Sequence, residues 1–142
     1  MTAREAPAKA MRHRVLIVDD EESMRLFLAR ILVTELHAEV TLAGTCEQAL
    51  RLAGNYAYDA ILLDLLMPGT GGYEVLKELR RASPNVATPV IVVSVLEDKA
   101  TRSRCMKAGA TAYLVKPVDR NSLASTVKAQ IAGRKKPKFT GK

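Results

Sequence analysis

Hydrophobic residues along the chain follow two alternating spacings. Five short apolar runs rich in β-branched residues predict five strands, at residues 14–19, 38–43, 59–64, 89–95 and 111–115. Each run is followed by a segment in which apolar residues recur three or four positions apart, the spacing of one face of a helix. The pattern therefore predicts five successive strand–helix units.

The same spacing predicts which residues of the helices face the core. They are Met24, Phe27, Leu28, Ile31 and Leu32; Cys46, Ala49, Leu50 and Ala53; Val75, Leu76 and Leu79; and Leu123, Val127 and Ile131. Helix ends are predicted at Gly54-Asn55, Ser83-Pro84 and Gly109. The segment 97–107 has few apolar residues and many charges, so we expect its helix to pack loosely.

Five strand–helix units in a row predict a parallel sheet with helices on both faces and right-handed crossovers. The first, third and fourth runs are the most continuously apolar, which predicts that these strands are central. The order 2-1-3-4-5 meets this requirement, and it defines an α/β, doubly wound, flavodoxin-like fold with a five-stranded parallel sheet and five helices. In that order a crevice opens at the carboxyl ends of strands 1 and 3, where open α/β sheets bind ligands.

Composition limits the size of the fold and shows where the charge lies. The 142 residues are enough for one domain, and no apolar run reaches the ~18 residues of a membrane-spanning helix, so we expect a cytoplasmic protein without membrane insertion. The net charge of +7 comes from the two ends, whereas residues 15–132 are nearly neutral. We therefore divide the chain into a basic tail at 1–12, a globular domain at 13–132 and a basic tail or linker at 133–142.

Polar side chains stand at the carboxyl ends of four predicted strands. They are Asp19 and Asp20 after the first strand, Asp64 after the third, Ser94 near the end of the fourth, and Lys116 after the fifth. A parallel sheet brings these strand ends to one edge, so three carboxylates converge with a hydroxyl and an ammonium. Crowded carboxylates repel one another and call for a cation, and oxygen ligands without His or Cys favour Mg²⁺ or Mn²⁺.

Mg²⁺ in proteins is commonly held by one or two carboxylates together with a phosphate, so a site of this kind is completed by a phosphoryl group. A carboxylate can act as a nucleophile on phosphorus, which predicts that Asp64 becomes phosphorylated. Lys116 and the Ser94 hydroxyl would then stabilise charge on the phosphoryl oxygens. Taken singly, a strand-end aspartate is as often a helix cap, and a lone serine or lysine is more often a turn or surface residue.

Four segments together resemble the receiver domain of bacterial response regulators: VLIVDDEESMR, DAILLDLLMPGTGGYEVLKELR, PVIVVSV and GATAYLVKPV. The resemblance covers residues 13–132. It implies that Asp64 accepts a phosphoryl group, in a Mg²⁺-dependent reaction, from the phosphohistidine of a sensor histidine kinase or a histidine phosphotransfer protein. It also implies that Asp20 and Asp64 bind the metal directly, Asp19 through water, and Leu66 through its backbone carbonyl.

The same resemblance implies a switch near the fifth strand. Ser94 and Lys116 would hold the phosphoryl oxygens, and the peptide bond between Lys116 and Pro117 would be cis. Movement of Ser94 would vacate space for the ring of Tyr113, which matches the family's switch aromatic; the alternative is a half-buried strand tyrosine with its hydroxyl in water. The fourth helix, fifth strand and fifth helix, within residues 97–132, would form the output surface for a downstream protein, an effector domain or a second copy of the chain.

The sequence departs from the family pattern near the predicted phosphorylation site. Val95 stands where Ala or Gly is usual, which predicts narrower access to Asp64. Leu66 and Leu96 cannot hold an attacking water by hydrogen bonding, so we expect slow spontaneous loss of the phosphoryl group. Gly71 stands where Asp is common, at a predicted turn or helix cap, and the loss of the Asp is expected to cost stability rather than chemistry.

Two other functions are compatible with parts of the sequence. A phosphatase with an aspartyl nucleophile generally needs a second acid two residues later, and Leu66 occupies that position, so we predict a signalling module rather than an enzyme with turnover. The basic segment 133–142 could serve as a nucleic-acid arm, but it has one aromatic residue and no helical spacing, which favours a solvated tail or linker. The sequence does not specify the cognate kinase, the output partner or any further domain.

Overall fold

The computed structural model describes residues 12–81 and 83–134. In this part of the chain there are five strands: β1 (Arg14–Val18), β2 (Glu39–Ala43), β3 (Ala60–Leu63), β4 (Val90–Ser94) and β5 (Ala112–Val115). A helix follows each strand: α1 (Glu22–Leu36), α2 (Cys46–Asn55), α3 (Gly72–Arg81), α4 (Lys99–Lys107) and α5 (Arg120–Gly133). Every observed strand lies inside a predicted run, so the prediction of five strand–helix units is confirmed.

The sheet has the predicted order β2-β1-β3-β4-β5, and all its pairings are parallel. The last residue of β1, Val18, lies opposite both Ala43 of β2 and Leu63 of β3, so these three strands end level with one another. The strands β1, β3 and β4 are buried almost throughout, whereas β2 and β5 are mostly half-buried edges. The level strand ends bring the next residues, including Asp19 and Asp64, to the same edge of the sheet.

Apolar side chains form a core on each face of the sheet. One core packs under α2 and α3 and includes Leu63, Val75, Leu76 and Leu79; the other packs under α1 and α5 and includes Leu62, Leu32, Leu123 and Val127. Fully burying a side chain of this size stabilises the fold by about 1.5–3 kcal/mol. Among the nine residues of α4 only Cys105 is buried, which agrees with the loose packing expected for the segment 97–107.

Three helices begin after a residue whose side chain caps the first turn. Thr45, Asp98 and Asp119 each accept a hydrogen bond from the backbone N–H three residues later, at 3.0, 3.0 and 2.7 Å. A cap of this kind contributes about 1 kcal/mol. Because Asp98 is the cap, α4 begins at Lys99 rather than at the start of the segment 97–107.

The core face predicted for α1 is partly wrong. Its buried residues are Leu28, Ile31 and Leu32. Phe27 was predicted to face the core but is 44% exposed, and Leu26 and Val33 are similarly exposed. Apolar residues occur around most of this helix, so their spacing does not define a single stripe, and packing against the sheet and α5 selects the buried one.

The loop between α3 and β4 is anchored by the buried side chain of Asn85. Its Nδ2 donates to the carbonyls of Ala53 at 2.7 Å and Tyr56 at 2.8 Å. Its Oδ1 accepts from the backbone N–H of Tyr58 at 2.8 Å and from the hydroxyl of Thr88 at 3.0 Å. The bonds with Tyr56 and Tyr58 join the α3–β4 loop to the α2–β3 loop, the bond with Ala53 joins it to the end of α2, and the bond with Thr88 lies within the α3–β4 loop.

The predicted tail boundaries need a small correction. Helix α5 includes Gly133, and Nη2 of Arg134 lies 3.3 Å from Oδ1 of Asp59, so these residues belong to the folded body rather than to a tail at 133–142. The rest of that predicted tail, and residues 1–11 of the other, lie outside the described residues. Within residues 12–81 and 83–134, no helix is long and apolar enough to cross a bilayer.

Candidate functional site

The side chains predicted at the carboxyl edge of the sheet come together there. Asp19 follows β1 directly, Asp64 follows β3 and Lys116 follows β5. Ser94 is the last residue of β4, and its carbonyl accepts a hydrogen bond from the backbone N–H of Lys116 at 2.8 Å. The backbone N–H of Asp64 likewise donates to the carbonyl of Val18 at 2.9 Å. Parallel pairing therefore extends to the site residues and fixes their backbones relative to one another.

Three carboxylates form a cluster in the crevice. One carboxylate oxygen from each of Asp19, Asp20 and Asp64 lies within 4.8 Å of the other two. Asp19 and Asp64 are 1% and 6% exposed, whereas Asp20 is exposed to solvent. The cluster thus has two buried members and is open to solvent on the side of Asp20.

The ammonium of Lys116 partly balances the buried carboxylates. Its Nζ lies 2.8 Å from Asp19 Oδ2 and 3.5 Å from Asp64 Oδ2. Burial raises the pKa of Asp64, and the charge of Lys116 opposes that rise. Burial alone would lower the pKa of Lys116, but its contacts with Asp19 and Asp64 raise it above its ordinary value. The peptide bond between Lys116 and Pro117 is cis, as the resemblance implies.

A repeated backbone turn orients three of the site side chains. The backbone N–H two residues further on donates to the side chain of Asp19 at 2.9 Å, of Asp64 at 3.2 Å and of Ser94 at 3.2 Å. The donors are Glu21, Leu66 and Leu96. Short polar side chains commonly make this bond, which restricts the rotation of the side chain before any ligand binds.

Ser94 and Tyr113 are both linked to Leu96 by hydrogen bonds. Ser94 is fully buried, and the hydroxyl of Tyr113 donates to the carbonyl of Leu96 at 2.7 Å. Burial raises the pKa of Tyr113, and hydrogen bonding to Ser94 opposes this rise. The guanidinium of Arg102 lies 5.0 Å from the centre of the Tyr113 ring. Tyr113 therefore connects Ser94 both to the loop before α4 and to α4 itself.

Gly72 allows the start of α3 to approach the end of β3 closely. A Cβ at this position would lie 2.7 Å from the Cα of Leu65 and would also collide with the carbonyl of Asp64, so a side chain fits only if the backbone shifts. The N–H of Gly72 donates to the carbonyl of Leu65 at 3.0 Å. Gly71 lies at the turn before α3 with a φ of +86°, a conformation that glycine adopts more readily than the aspartate common in the family.

The model of the response regulator receiver domain family matches residues 15–128. The chain belongs to this family. Relatives of this receiver domain include the sensory/regulatory protein RpfC of Xanthomonas campestris pv. campestris, 38% identical over 122 residues, and protein PilH of Pseudomonas aeruginosa, 32% identical over 120 residues. Each match covers 84% of this chain, but 17% of RpfC and 98% of PilH. The chain thus spans a small part of the first relative and nearly all of the second.

Solved receiver domains have the same fold. The receiver domain of the sensor histidine kinase PA1611 of Pseudomonas aeruginosa PAO1 superposes with a TM-score of 0.79 at 29% identity, covering 86% of this chain and 99% of that one. That structure has a magnesium ion coordinated in its active site cleft. A CheY-like receiver domain protein of Methanospirillum hungatei JF-1 also gives a TM-score of 0.79, at 27% identity, over 85% of this chain and 94% of that one.

The acidic pocket of this receiver domain fits a divalent cation such as Mg²⁺. Its donors are oxygen atoms of Asp19, Asp20 and Asp64, which are close enough to share one ion, and the ammonium of Lys116 contacts two of these carboxylates. The participation of the Leu66 carbonyl stays a prediction, as does the division into direct and water-mediated ligands. What the structure shows for Leu66 is the bond from its N–H to Asp64 and a side chain that is 51% exposed.

Arg25 is a residue of the receiver site that the sequence analysis missed. Its Nη1 donates to the carbonyl of Asp19 at 2.8 Å, from α1 back to the loop that carries Asp19 and Asp20. The guanidinium lies over Gly44, where a Cβ would come within 2.8 Å of Nη1. The motif DDEESMR contains this arginine, but a charged residue in the second turn of a helix is normally expected in solvent.

Proposed function

We propose that Asp64 is the phosphoacceptor of this receiver domain, and that the phosphoryl donor is the phosphohistidine of a sensor histidine kinase or a histidine phosphotransfer protein. The observation that supports this most strongly is the meeting of three carboxylates and one ammonium in the crevice at the carboxyl edge of the sheet. Such a set of charges is unfavourable by itself and becomes favourable when a cation and a phosphoryl group bind together.

In the proposed reaction a carboxylate oxygen of Asp64 forms a bond to phosphorus while the bond from phosphorus to the donor imidazole nitrogen breaks. The nitrogen leaves with the electron pair of that bond and takes up a proton. Asp64 must be ionised to attack, and burial opposes ionisation. The N–H of Leu66 and the ammonium of Lys116 favour the ionised carboxylate, so these two groups prepare the nucleophile.

Asp19, Asp20 and Asp64, with the carbonyl of Leu66, would hold Mg²⁺ or Mn²⁺, which supplies positive charge to the carboxylates and the phosphoryl oxygens when bound. We expect Lys116 to bind a phosphoryl oxygen, because its Nζ lies 3.5 Å from Asp64 Oδ2. After transfer of the phosphoryl group to Asp64, contacts to that group would therefore replace some of the ion pairs inside the crevice.

Ser94 and Tyr113 would form the switch. When the Ser94 hydroxyl donates to a phosphoryl oxygen it turns away from Tyr113, and the ring of Tyr113 moves into the vacated space. This motion would break the hydrogen bond to Leu96 and the contact with Arg102. Pro117 follows the same strand end and would take part in the change. A downstream protein, an effector domain or a second copy would read the altered surface of α4, β5 and α5.

The phosphorylated state is expected to be long-lived. Spontaneous loss requires a water molecule aligned with the bond from phosphorus to Asp64, and a polar side chain usually positions it. The side chains of Leu66 and Leu96 offer no hydrogen bond to such a water. Val95, which is 55% exposed, adds a branched apolar group next to Ser94. The receiver would therefore act as a signalling module with slow self-dephosphorylation.

Phosphorylation by acetyl phosphate tests the proposal. The full chain in Mg²⁺ should gain the mass of one phosphoryl group, and removal of Mg²⁺ by a chelator should abolish the gain. Asp64→Asn should gain nothing. Asp119→Asn is a matched control, because this exposed helix cap lies outside the cluster and Asn caps a helix as well as Asp does. Equal uptake by Asp64→Asn, or no uptake by the wild type, would refute the assignment.

A further inference from the structure

Acidic and basic residues are unevenly distributed over the receiver, although residues 15–132 are nearly neutral as a whole. Helices α1, α2 and α3 each mix acidic and basic residues. Helix α4 has four basic residues and no acidic one, and α5 has two basic residues and no acidic one. These two helices flank the edge strand β5. The candidate output surface is therefore the basic side of the domain.

The basic residues of α4 have no acidic partners of their own. Within residues 12–81 and 83–134, ion pairs involve other cations, and none includes a side chain of α4. In α3, by contrast, Lys77 and Arg81 each pair with a glutamate three residues earlier. The basic side chains of α4 are thus not engaged in ion pairs within the described residues, so they remain available to a negatively charged group.

Two of these cations are held in place by aromatic rings. Arg102 lies 5.0 Å from the ring centre of Tyr113, and Arg104 lies 4.0 Å from that of Tyr73. A guanidinium held against a ring loses freedom of rotation, yet its N–H groups remain able to donate to carboxylates. Arg104 is thus held on the side of α4 that faces α3, and Arg102 is ordered on the other side before a partner arrives, which lowers the entropic cost of binding there.

The surface of α4 also contains an exposed apolar group. The side chain of Met106 is 43% exposed, and Lys99, Arg102, Arg104 and Lys107 around it are all exposed. A flexible thioether among cations suits a partner that offers both carboxylates and apolar side chains. The phosphate backbone of a nucleic acid offers charge alone and would leave the exposed side chain of Met106 without an apolar contact.

The same charges disfavour a symmetric dimer through this surface. In a twofold interface the same surface patch of each copy contacts its counterpart on the other copy. Helix α4 would therefore face α4 or α5 of the second copy. Both helices carry only basic charged residues, and like charges placed against one another weaken association. A second copy of the chain is therefore a poor binding partner for α4.

We propose that the α4 surface, formed by Lys99, Arg102, Met106 and Lys107, binds an acidic amphipathic segment of a partner protein. The dependence of this binding on phosphorylation rests on the proposed function, because Arg102 stacks on the predicted switch residue Tyr113. Movement of Tyr113 would release Arg102 and change the affinity. The recognition of acidic side chains itself rests on the charges of α4 alone.

The experiment uses the full chain and a designed probe peptide of about 20 residues. The peptide is an amphipathic helix of Leu, Ala and Glu, with glutamates two turns apart to match Lys99 and Lys107, which lie ~12 Å apart along α4. Its Glu→Gln analogue and a 20-base-pair duplex are the comparison ligands. Affinities are measured by calorimetry with and without beryllofluoride and Mg²⁺, and amide NMR shifts locate the site.

We expect the acidic peptide to bind with shifts in residues 99–107, and the Gln analogue to bind at least about tenfold more weakly. Lys99→Glu with Lys107→Glu should also weaken binding at least about tenfold. Arg30→Glu with Arg51→Glu makes the same change of charge at exposed positions on α1 and α2, and should change affinity less than about twofold.

Four results would overturn the proposal. They are failure of the acidic peptide to bind, equal weakening of binding by the control reversal and the α4 reversal, tighter binding of the duplex than of the peptide through residues 99–107, and formation on activation of a dimer that the α4 reversal abolishes. Phosphoryl uptake measured on the same samples separates the two proposals. A protein that takes up no phosphoryl group yet binds the peptide without activation would refute Asp64 as phosphoacceptor and support the α4 surface.

Discussion

Substitution of Gly72 by alanine tests the close approach of α3 to the proposed phosphoacceptor. The added Cβ would lie 2.7 Å from the Cα of Leu65 and would collide with the carbonyl of Asp64. Both obstacles are backbone atoms, so no side-chain rotation can relieve the contact. Either the first turn of α3 or the peptide between Asp64 and Leu65 must move, and the 3.0 Å hydrogen bond from the N–H of Gly72 to Leu65 would be strained.

The expected loss is about 1–3 kcal/mol in the free energy of unfolding, the usual cost of inserting a methyl group into a well-packed place. The free energy of unfolding of a domain of this size is roughly 5–15 kcal/mol, so the variant should still fold. Urea unfolding followed by circular dichroism is the suitable assay, because the chain has no tryptophan. The urea midpoint should fall by roughly 0.5–2 M. Phosphoryl uptake from acetyl phosphate should also slow, since the backbone that moves carries Asp64.

Gly54→Ala is the matched control. Gly54 lies in α2, and a Cβ there meets no atom within 4 Å. Alanine is a better helix former than glycine, so this change should stabilise the protein by up to about 1 kcal/mol. The explanation fails if Gly72→Ala unfolds at the same urea concentration as the wild type, or if both variants lose stability equally.

Three further predictions follow from other parts of the structure. Burial raises the pKa of Asp64, so this residue contributes stability that is present below its ordinary pKa of 3.8 and is lost as the pH rises through its folded value. Without Mg²⁺, Asp64→Asn should therefore unfold at a higher urea concentration than the wild type at pH 7. This gain in stability should vanish near pH 3.8. Equal urea midpoints at pH 7 would contradict the prediction. Leu66→Asn with Leu96→Gln should shorten the lifetime of the phosphorylated protein by about tenfold or more, as measured by intact mass. An unchanged rate of decay would contradict the role given to these leucines. Asn85→Ala should cost at least about 3 kcal/mol in urea unfolding, because it leaves one buried and two partly buried backbone groups without their partner. A loss under about 1 kcal/mol would mean that water replaces the side chain.

The strands and the placement of the acidic residues could be predicted from the sequence because both depend on local pattern. A run such as PVIVVSV defines a buried strand by itself, and parallel strands of one sheet end at the same edge. Asp19, Asp64 and Lys116 each follow such a run, so their convergence needs no knowledge of side-chain packing. The cis bond before Pro117 was expected from the resemblance and is present in the structure.

Features that depend on contacts between distant segments could not be predicted in this way. Phe27 has the spacing of a core residue yet lies in solvent, because α1 has apolar residues on most sides and its neighbours select the face that is buried. Asn85 looks like an ordinary loop residue, and its importance comes from partners up to 32 positions away. Arg25 and Gly72 lie only a few positions from Asp19 and Asp64, but their contacts with those backbones depend on how α1 and α3 pack against the strand ends.

By itself, then, the sequence determined the order of the elements and the edge of the sheet at which the charged residues meet, since periodicity and strand direction are local properties. Tertiary structure alone decided how those residues are held: which carboxylates are buried, which backbone approaches Asp64, and which cations remain without an acidic partner on α4. The physical reason is that burial and electrostatic compensation are set by neighbours in space, and a linear pattern does not specify those neighbours.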